Sequence, residues 1–273
     1  MMDTQGTNTV SAGSIVDKFC LQNKRVLITG ASKGLGAVCA EALAEYDTRL
    51  ALMARSKEQL TQVRQSCKNS DHHLIIPGDL TQKQNLQSGV EQARKFLGEI
   101  DIVVHVLGGG LGLSDPLPDF DEIIKLFTLN VAVAAQINKI VVPQMIERRS
   151  GNLVHVGSIA STEATGSVGY NTAKAALAAY VRSLGRELTK FGVVATGILP
   201  GGFISPGNSF DRLSKNNPAA VKNFIATRLP RKRLASADEL IPMLLLLCSD
   251  AASMMGGCLV SIDAGEGVGY IGS

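Results

Sequence analysis

Tyr170 and Lys174 stand one helical turn apart in the run Tyr-Asn-Thr-Ala-Lys, and Ser158 precedes them. On a helix, residues four apart share a face. An ammonium beside a phenol favours the phenolate, so Lys174 is expected to lower the Tyr170 pKa from its usual value of about 10. A phenol tuned in this way can exchange a proton with a substrate oxygen near neutral pH. Alone, Tyr-x-x-x-Lys fits any solvated helix face, so its weight depends on what the rest of the chain places around it.

Positioning these groups requires strands and helices in alternation, and the chain has them. Short, nearly continuous apolar runs fall at Arg25–Thr29, Arg49–Ala54, Leu74–Pro77, Ile102–Leu107, Asn152–Val156, Val193–Leu199 and Leu259–Ile262. Strands buried on both faces of a parallel sheet look like this. Between them lie segments of helical period: Leu35–Tyr46, Lys57–Cys67, Lys83–Leu97, Phe120–Arg148, Tyr170–Lys190 and Ala237–Cys248. Alternation of the two predicts right-handed crossovers and one α/β, doubly wound parallel sheet of about seven strands with helices on both faces. No disordered linker divides the chain and no repeat is visible. The expectation is a flexible N-terminal extension over residues 1–20 and one domain over 21–273. The irregular stretch 201–233 follows a strand C-terminus, the edge where open α/β sheets bind ligands, and reads as a lid with short helices.

Bulk properties narrow the function. The chain has 273 residues, 45% of them hydrophobic, which excludes disorder as the main state. A net charge of +3 gives no case for nucleic acid or an anionic membrane, and the cluster Arg228, Arg231, Lys232, Arg233 is local. No uninterrupted apolar run approaches the ~20 residues of a membrane helix. The polar stretch Met1–Ser14 lacks the apolar core of a signal peptide. Five scattered cysteines without a Cys-x-x-Cys pair argue for reduced thiols, a cytoplasmic protein and no metal site. His105 and His155 sit inside apolar runs and read as packed strand residues.

The first strand runs into Gly30-Ala31-Ser32-Lys33-Gly34-Leu35-Gly36. Glycines at 30, 34 and 36 permit positive φ and close backbone approach. The helix that follows offers free N–H groups and a positive dipole end to a pyrophosphate. The second strand ends at Arg55, where an enzyme selecting NAD usually has a carboxylate; Arg55 and Lys33 instead suit a ribose 2′-phosphate, so NADP(H) is the expected cofactor. The third strand leads to Asp79-Leu80, where Asp79 can accept from an adenine amino group or cap the next helix.

Taken in order, the glycine loop, Asp79, Asn130, Ser158, Tyr170, Lys174 and Pro200-Gly201 resemble the short-chain dehydrogenase/reductase family over Lys24 to Ala264. The general pattern, including Cys258–Gly265, is similar to the 3-oxoacyl-acyl-carrier-protein reductase branch. The resemblance implies a Rossmann-type fold and a catalytic set of Asn130, Ser158, Tyr170 and Lys174. Tyr170 would act as acid in reduction and base in oxidation. Ser158 would steady the substrate oxygen. Lys174 would also hold the nicotinamide ribose, and Asn130 would bind a water linking Lys174 to solvent. The cofactor set would be Gly30, Ser32, Lys33, Gly34, Leu35, Gly36, Arg55, Asp79, Leu80, Gly108, Tyr170, Lys174, Pro200, Gly201, Phe203 and Ser205. Hydride would move between the nicotinamide and a carbon bearing oxygen.

The chain departs from the family pattern in two places. Where Asn-Asn-Ala-Gly is usual after the fourth strand, it has His105-Val106-Leu107-Gly108, then Gly109 and Gly110. A polar tie between strands is thereby lost unless His105 replaces it, while Gly108–Gly110 could let the backbone approach the adenosine side. Ser205 stands where a threonine is usual, which retains a hydroxyl. For substrate, Arg148 and Arg149 partly match the basic residues that dock an acidic carrier protein; Lys190 and Phe191 stand where a second docking group belongs. The lid mixes Phe203, Ile204, Phe210 and Leu213 with Asn208, Ser209 and Asp211, which fits a sugar or nucleotide sugar as readily as an acyl chain. Small residues on the active-site helix (Ala173, Ala176, Gly185) and the family's habit imply a homodimer or homotetramer. A reading from another class, a non-catalytic NADP(H)-binding regulator, draws support only from the altered fourth-strand motif.

Overall fold

The structure is a computed structural model and describes residues 15–269. Residues 1–14 of the expected N-terminal extension lie outside the described residues, and Ile15–Phe19 form a 3-10 turn with exposed side chains.

In chain order come β1 (Arg25–Thr29), α1 (Gly34–Ala44), β2 (Arg49–Ala54), α2 (Lys57–Ser66), β3 (Leu74–Pro77), α3 (Lys83–Leu97) and β4 (Ile102–His105). Next are α4 (Phe120–Phe127), α5 (Val133–Glu147), β5 (Gly151–Val156), α6 (Val168–Leu188) and β6 (Val193–Pro200). The lid region holds β7 (Phe203–Ile204), α7 (Ser209–Asn216), α8 (Pro218–Arg228) and β8 (Ala235–Ser236); α9 (Ile241–Cys248) and β9 (Leu259–Ile262) follow it. Seven strands form one parallel sheet in the order β3-β2-β1-β4-β5-β6-β9. The order reverses between β1 and β4, which opens the crevice where sheets of this kind take nucleotides.

The apolar runs are continuous because both sheet faces are covered. Val26 and Ile28 of β1 enter one core with α1 and α9, while Leu27 between them enters the opposite core with α3 and α5. All of β6 is buried. Each fully buried leucine or valine contributes on the order of 2 kcal/mol.

The predicted helix over 120–148 is helical throughout, but its middle turn, Thr128–Ala132, is a π turn between α4 and α5. A π turn carries one extra residue and re-aims the side chains beyond it. The helical run Phe120–Glu147 reaches a mean hydropathy of 1.4 over eighteen residues, enough by length and composition to cross a membrane; 44% of that window is buried, as in a core helix of a folded domain. Asp119 and Glu122 start α4 with a reciprocal capping box.

The small residues on α6 named above face the chain's own core, in part. Ala173 and Gly185 are buried, and a Cβ on Gly185 would collide with the backbone of Gly257. The exposed alanines of α6 are Ala175 and Ala179. Arg231 and Arg233 of the basic cluster both close on Glu239, at 2.7 Å each.

Candidate active site

The cleft lies at the C-terminal ends of β1, β4, β5 and β6. Its floor is set where backbones approach too closely for side chains. Gly30 has φ +69°, and a Cβ there would stand 2.9 Å from the Leu107 nitrogen. Gly34 has φ +60°, and a Cβ on Gly36 would strike the Gly30 carbonyl. The loop therefore closes only with glycine at these positions, and it delivers the N-terminus of α1 to the crevice.

Ser158 leaves β5 in extended conformation (φ −169°), and its Oγ accepts from the Ala160 N–H at 3.1 Å. It caps a turn, and its hydroxyl is also a hydrogen-bond partner of the Tyr170 phenol. Tyr170 and Lys174 lie one turn apart near the start of α6, with the Lys174 Nζ 5.8 Å from the centre of the Tyr170 ring. Lys174 is 3% exposed and its Nζ donates to the Val156 carbonyl at 3.0 Å. The two groups converge on one cleft.

Electrostatics correct one expectation. Burial pulls the Lys174 ammonium down to about 8 and raises the Tyr170 phenol above its ordinary value. The hydrogen bond from Ser158 opposes the shift on Tyr170, whereas Lys174 does not lower it. At 5.8 Å from the ring the ammonium contacts the Val156 carbonyl rather than the phenol oxygen, so desolvation dominates. The phenol is thus held protonated, as a donor.

Asn130 sits in the π turn, 2% exposed. Its Nδ2 donates to the carbonyls of Leu126 (2.9 Å) and Gly109 (3.0 Å), and its Oδ1 accepts from Gly109 N at 2.9 Å. Both side-chain N–H groups are spent on carbonyls, so the side chain clamps the Gly108–Gly110 loop. A Cβ on Gly108 would stand 2.8 Å from Asn130 Oδ1 and 3.1 Å from Lys174 Nζ, and one on Gly110 would touch the Tyr170 ring at 3.6 Å. This loop therefore packs closely against Asn130, Lys174 and Tyr170. The run of three glycines was a sequence signal for that close approach; the clamp from Asn130 had none.

The lost strand tie is replaced by a different one. His105 Nε2 meets Asn138 Oδ1 at 2.8 Å, and Asn138 Nδ2 reaches His155 Nε2 (3.3 Å) and the Tyr180 hydroxyl (3.1 Å). His155 Nδ1 meets the Thr196 carbonyl at 3.0 Å. A carbonyl only accepts, which assigns the proton of His155 to Nδ1 and that of His105 to Nε2. The rings stack at 4.6 Å. Both histidines are packed, as expected; their stacked rings join β4 to β5, His155 reaches β6, and Asn138 ties the pair to α5 and α6.

The remaining predicted residues divide. The side chains of Arg55 and Lys33 are exposed and, among the described residues, make no hydrogen bond or ion pair. The Lys33 stem lies along Gly207 of the lid. Asp79 Oδ1 accepts from Thr81 N (3.0 Å) and Oγ1 (2.8 Å); it shapes its own turn, and Gln82, not Asp79, precedes α3. Leu35 and Leu80 are buried in the cores, leaving only backbone to a cofactor. Phe203 likewise packs on the core from β7. Ser32 is half-buried at the loop tip, and Pro200 ends β6, with Gly201 N bonded to the Ile262 carbonyl at 3.1 Å. Ser205 is 4% exposed and its Oγ has no partner. An orphaned buried hydroxyl, a glycine cradle and two unpaired cations together fit a nicotinamide dinucleotide. Arg148 and Arg149 both have partners within the chain. Arg148 pairs with Glu99 (3.6 Å) and Asp101 (3.5 Å), beside the N-terminal end of β4, and Arg149 donates to the Lys190 carbonyl at 3.1 Å. That edge is opposite the cleft.

Comparison with known proteins accords with this geometry. The profile of the family described as short chain dehydrogenase matches residues 24–215. Ketoacyl reductase HetN of Nostoc sp. is 30% identical over 224 residues, covering 78% of this chain and 77% of that protein. L-sorbose reductase from Gluconobacter frateurii, solved with NADPH and L-sorbose, superposes with a TM-score of 0.85 at 26% identity, covering 93% of this chain and 100% of that one. A 7α-hydroxysteroid dehydrogenase, solved with NADH and 7-oxo glycochenodeoxycholic acid, shares the fold with a TM-score of 0.84 at 24% identity, covering 94% and 99%.

Proposed function

The chain belongs to the short-chain dehydrogenase family of oxidoreductases, and from that premise we propose that it interconverts a carbonyl and a secondary alcohol on a small molecule with NADP(H). The observation that carries this reading is the convergence of Ser158, Tyr170 and buried Lys174 on one cleft beside the glycine loop. When bound, the nicotinamide gives or takes the hydride. The chain does the rest. In reduction Tyr170 gives its proton to the carbonyl oxygen, and Ser158 hydrogen-bonds that oxygen as charge develops there. Lys174, its ammonium fixed by the Val156 carbonyl, would hold the nicotinamide ribose hydroxyls. Asn130 holds Gly108–Gly110 against Tyr170 and Lys174. Gly30, Gly34, Gly36 and the α1 N-terminus would hold the pyrophosphate, Arg55 and Lys33 the 2′-phosphate, and Ser205 the nicotinamide end.

L-sorbose reductase, with NADPH, and HetN, named for ketoacyl reduction, support a carbonyl substrate of either kind. The internal pairing of Arg148 and Arg149 weighs against a carrier-linked acyl chain and towards a free molecule such as a sugar. The regulator reading is disfavoured because a binding module gains nothing from a buried ammonium under a phenol. The same proposal includes a homodimer or homotetramer, supported by the exposed Phe120 and Ile124 of α4 and Val168 of α6. It also includes a cytoplasmic setting, supported by five unpaired cysteines.

The test is NADPH and NADH consumption with a panel of ketoses, cyclic ketones and 3-oxoacyl thioesters. Arg55→Asp is expected to lower kcat/KM for NADPH about 10- to 100-fold, the loss of a charge-assisted phosphate contact, with NADH little changed. No turnover on any carbonyl, or an inherent preference for NADH, contradicts the reading.

A further inference from the structure

Past β9 the chain turns back on itself. Ala264 (φ +53°) and Gly265 (φ +82°) make the turn. Asp263 fastens it, with Oδ1 accepting from Gly265 N and Oδ2 from Gly267 N, each at 3.0 Å. Two longer contacts then reach the walls of the cleft. Glu266, 4% exposed, accepts the Gly202 N–H with Oε2, at the root of the lid. Gly269 N donates to Glu163 Oε1 at 3.0 Å, in the loop that joins Ser158 to Tyr170.

The fit at both ends is tight. A Cβ on Gly201 would stand 2.6 Å from Glu266 Oε2, and one on Gly267 would stand 2.6 Å from Glu163 Oε1. Gly201 N and the Gly202 carbonyl are held by Ile262 and Ala235, and Glu266 takes the remaining Gly202 N–H. A carboxylate buried there is costly unless it is used. Burial raises the Glu266 pKa; Arg228 at the end of α8 faces it with positive charge, and Asp263 and Glu163 with negative. Neither Glu163 nor Glu266 has a part in the proton or hydride chemistry.

We propose that residues 264–269 form a strap that sets the width of the substrate cleft, with Glu266 and Glu163 as its positioning residues. The strap ties the lid root, which carries Ser205, to the loop between Ser158 and Tyr170, and the carbonyl must lie between these two walls. Its effect on turnover rests on the carbonyl-reductase reading; its effect on the lid does not.

Amide hydrogen exchange and steady-state kinetics on the full chain test it together. Glu266→Ala is expected to speed exchange over residues 202–209 about tenfold, the loss of one hydrogen bond to a charged group, with α6 unchanged. The same variant is expected to raise KM for the carbonyl about tenfold with kcat nearly unchanged, and Glu266→Gln, which keeps an acceptor, to restore most of it. Glu163→Ala, at the less buried end, is expected to raise KM in the same direction. Unaltered exchange in Glu266→Ala overturns the proposal, as does a lower Tm with KM unchanged in both alanine variants. If the wild-type chain reduces no carbonyl, the activity reading fails, while exchange at the lid root still decides the strap.

Discussion

At neutral pH a buried ammonium with a carbonyl as its hydrogen-bond partner burdens the folded state. Lys174 has its pKa drawn from 10.5 to about 8, a cost of about 3 kcal/mol at pH 7. The folded pKa lies below the unfolded one, so the unfolded chain binds more protons between pH 8 and 10.5, and stability rises with pH across that window. Lys174→Met is expected to stabilise the protein by on the order of 1–3 kcal/mol at pH 7 in urea unfolding and to flatten that alkaline rise. Turnover is expected to fall at least about 100-fold. A variant that is less stable and still active would remove the functional reason for the charge. Tyr170 carries a complementary strain, its phenol held above the ordinary range by burial and drawn back only by Ser158.

The strands and helices around the cleft are tied by the histidine pair. Burial holds His155 down to about 4 and His105 well below 6.5. Their folded pKa values lie below the unfolded ones, so their contribution is full above pH 6.5 and is lost as pH falls from 6.5 towards 4. Unfolding free energies from denaturant titration are expected to drop across this range by on the order of 3 kcal/mol, beginning before most carboxylates titrate. His105→Asn, which keeps an amide donor for Asn138, is expected to flatten part of the slope. An unchanged slope would mean that β4 and β5 are joined to α5 and α6 by packing alone. The π turn between α4 and α5 acts at the same scale, since it turns Asn130 inward to hold the Gly108–Gly110 loop.

In the whole molecule, the sheet was legible because every central strand is buried on both faces and reads as a run of Val, Ile and Leu. Strand ends came within one or two residues. The neighbourhood of Ser158, Tyr170 and Lys174 was legible because their types and order stand together in one chain. The rest was hidden for physical reasons. β7 and β8 have two residues each and no pattern to show. The π turn keeps the apolar period of the helix that contains it. Arg148 and Arg149 read as free cations because their partners Asp101 and the Lys190 carbonyl are distant in sequence. The expected fall in the Tyr170 pKa failed because spacing reveals a neighbour but not its desolvation. The strap was invisible, since Glu163 and Gly269 are 106 residues apart and no motif joins them.

The account depends on Tyr170 as the proton donor in a cleft that binds the cofactor independently of it. The direct measurement is Tyr170→Phe assayed for both NADPH affinity, by fluorescence titration, and carbonyl reduction. The predicted result is affinity within a few-fold of wild type and a turnover loss of about 10³-fold or more. Turnover near the wild-type rate would contradict it, because protonation would then come from some other group.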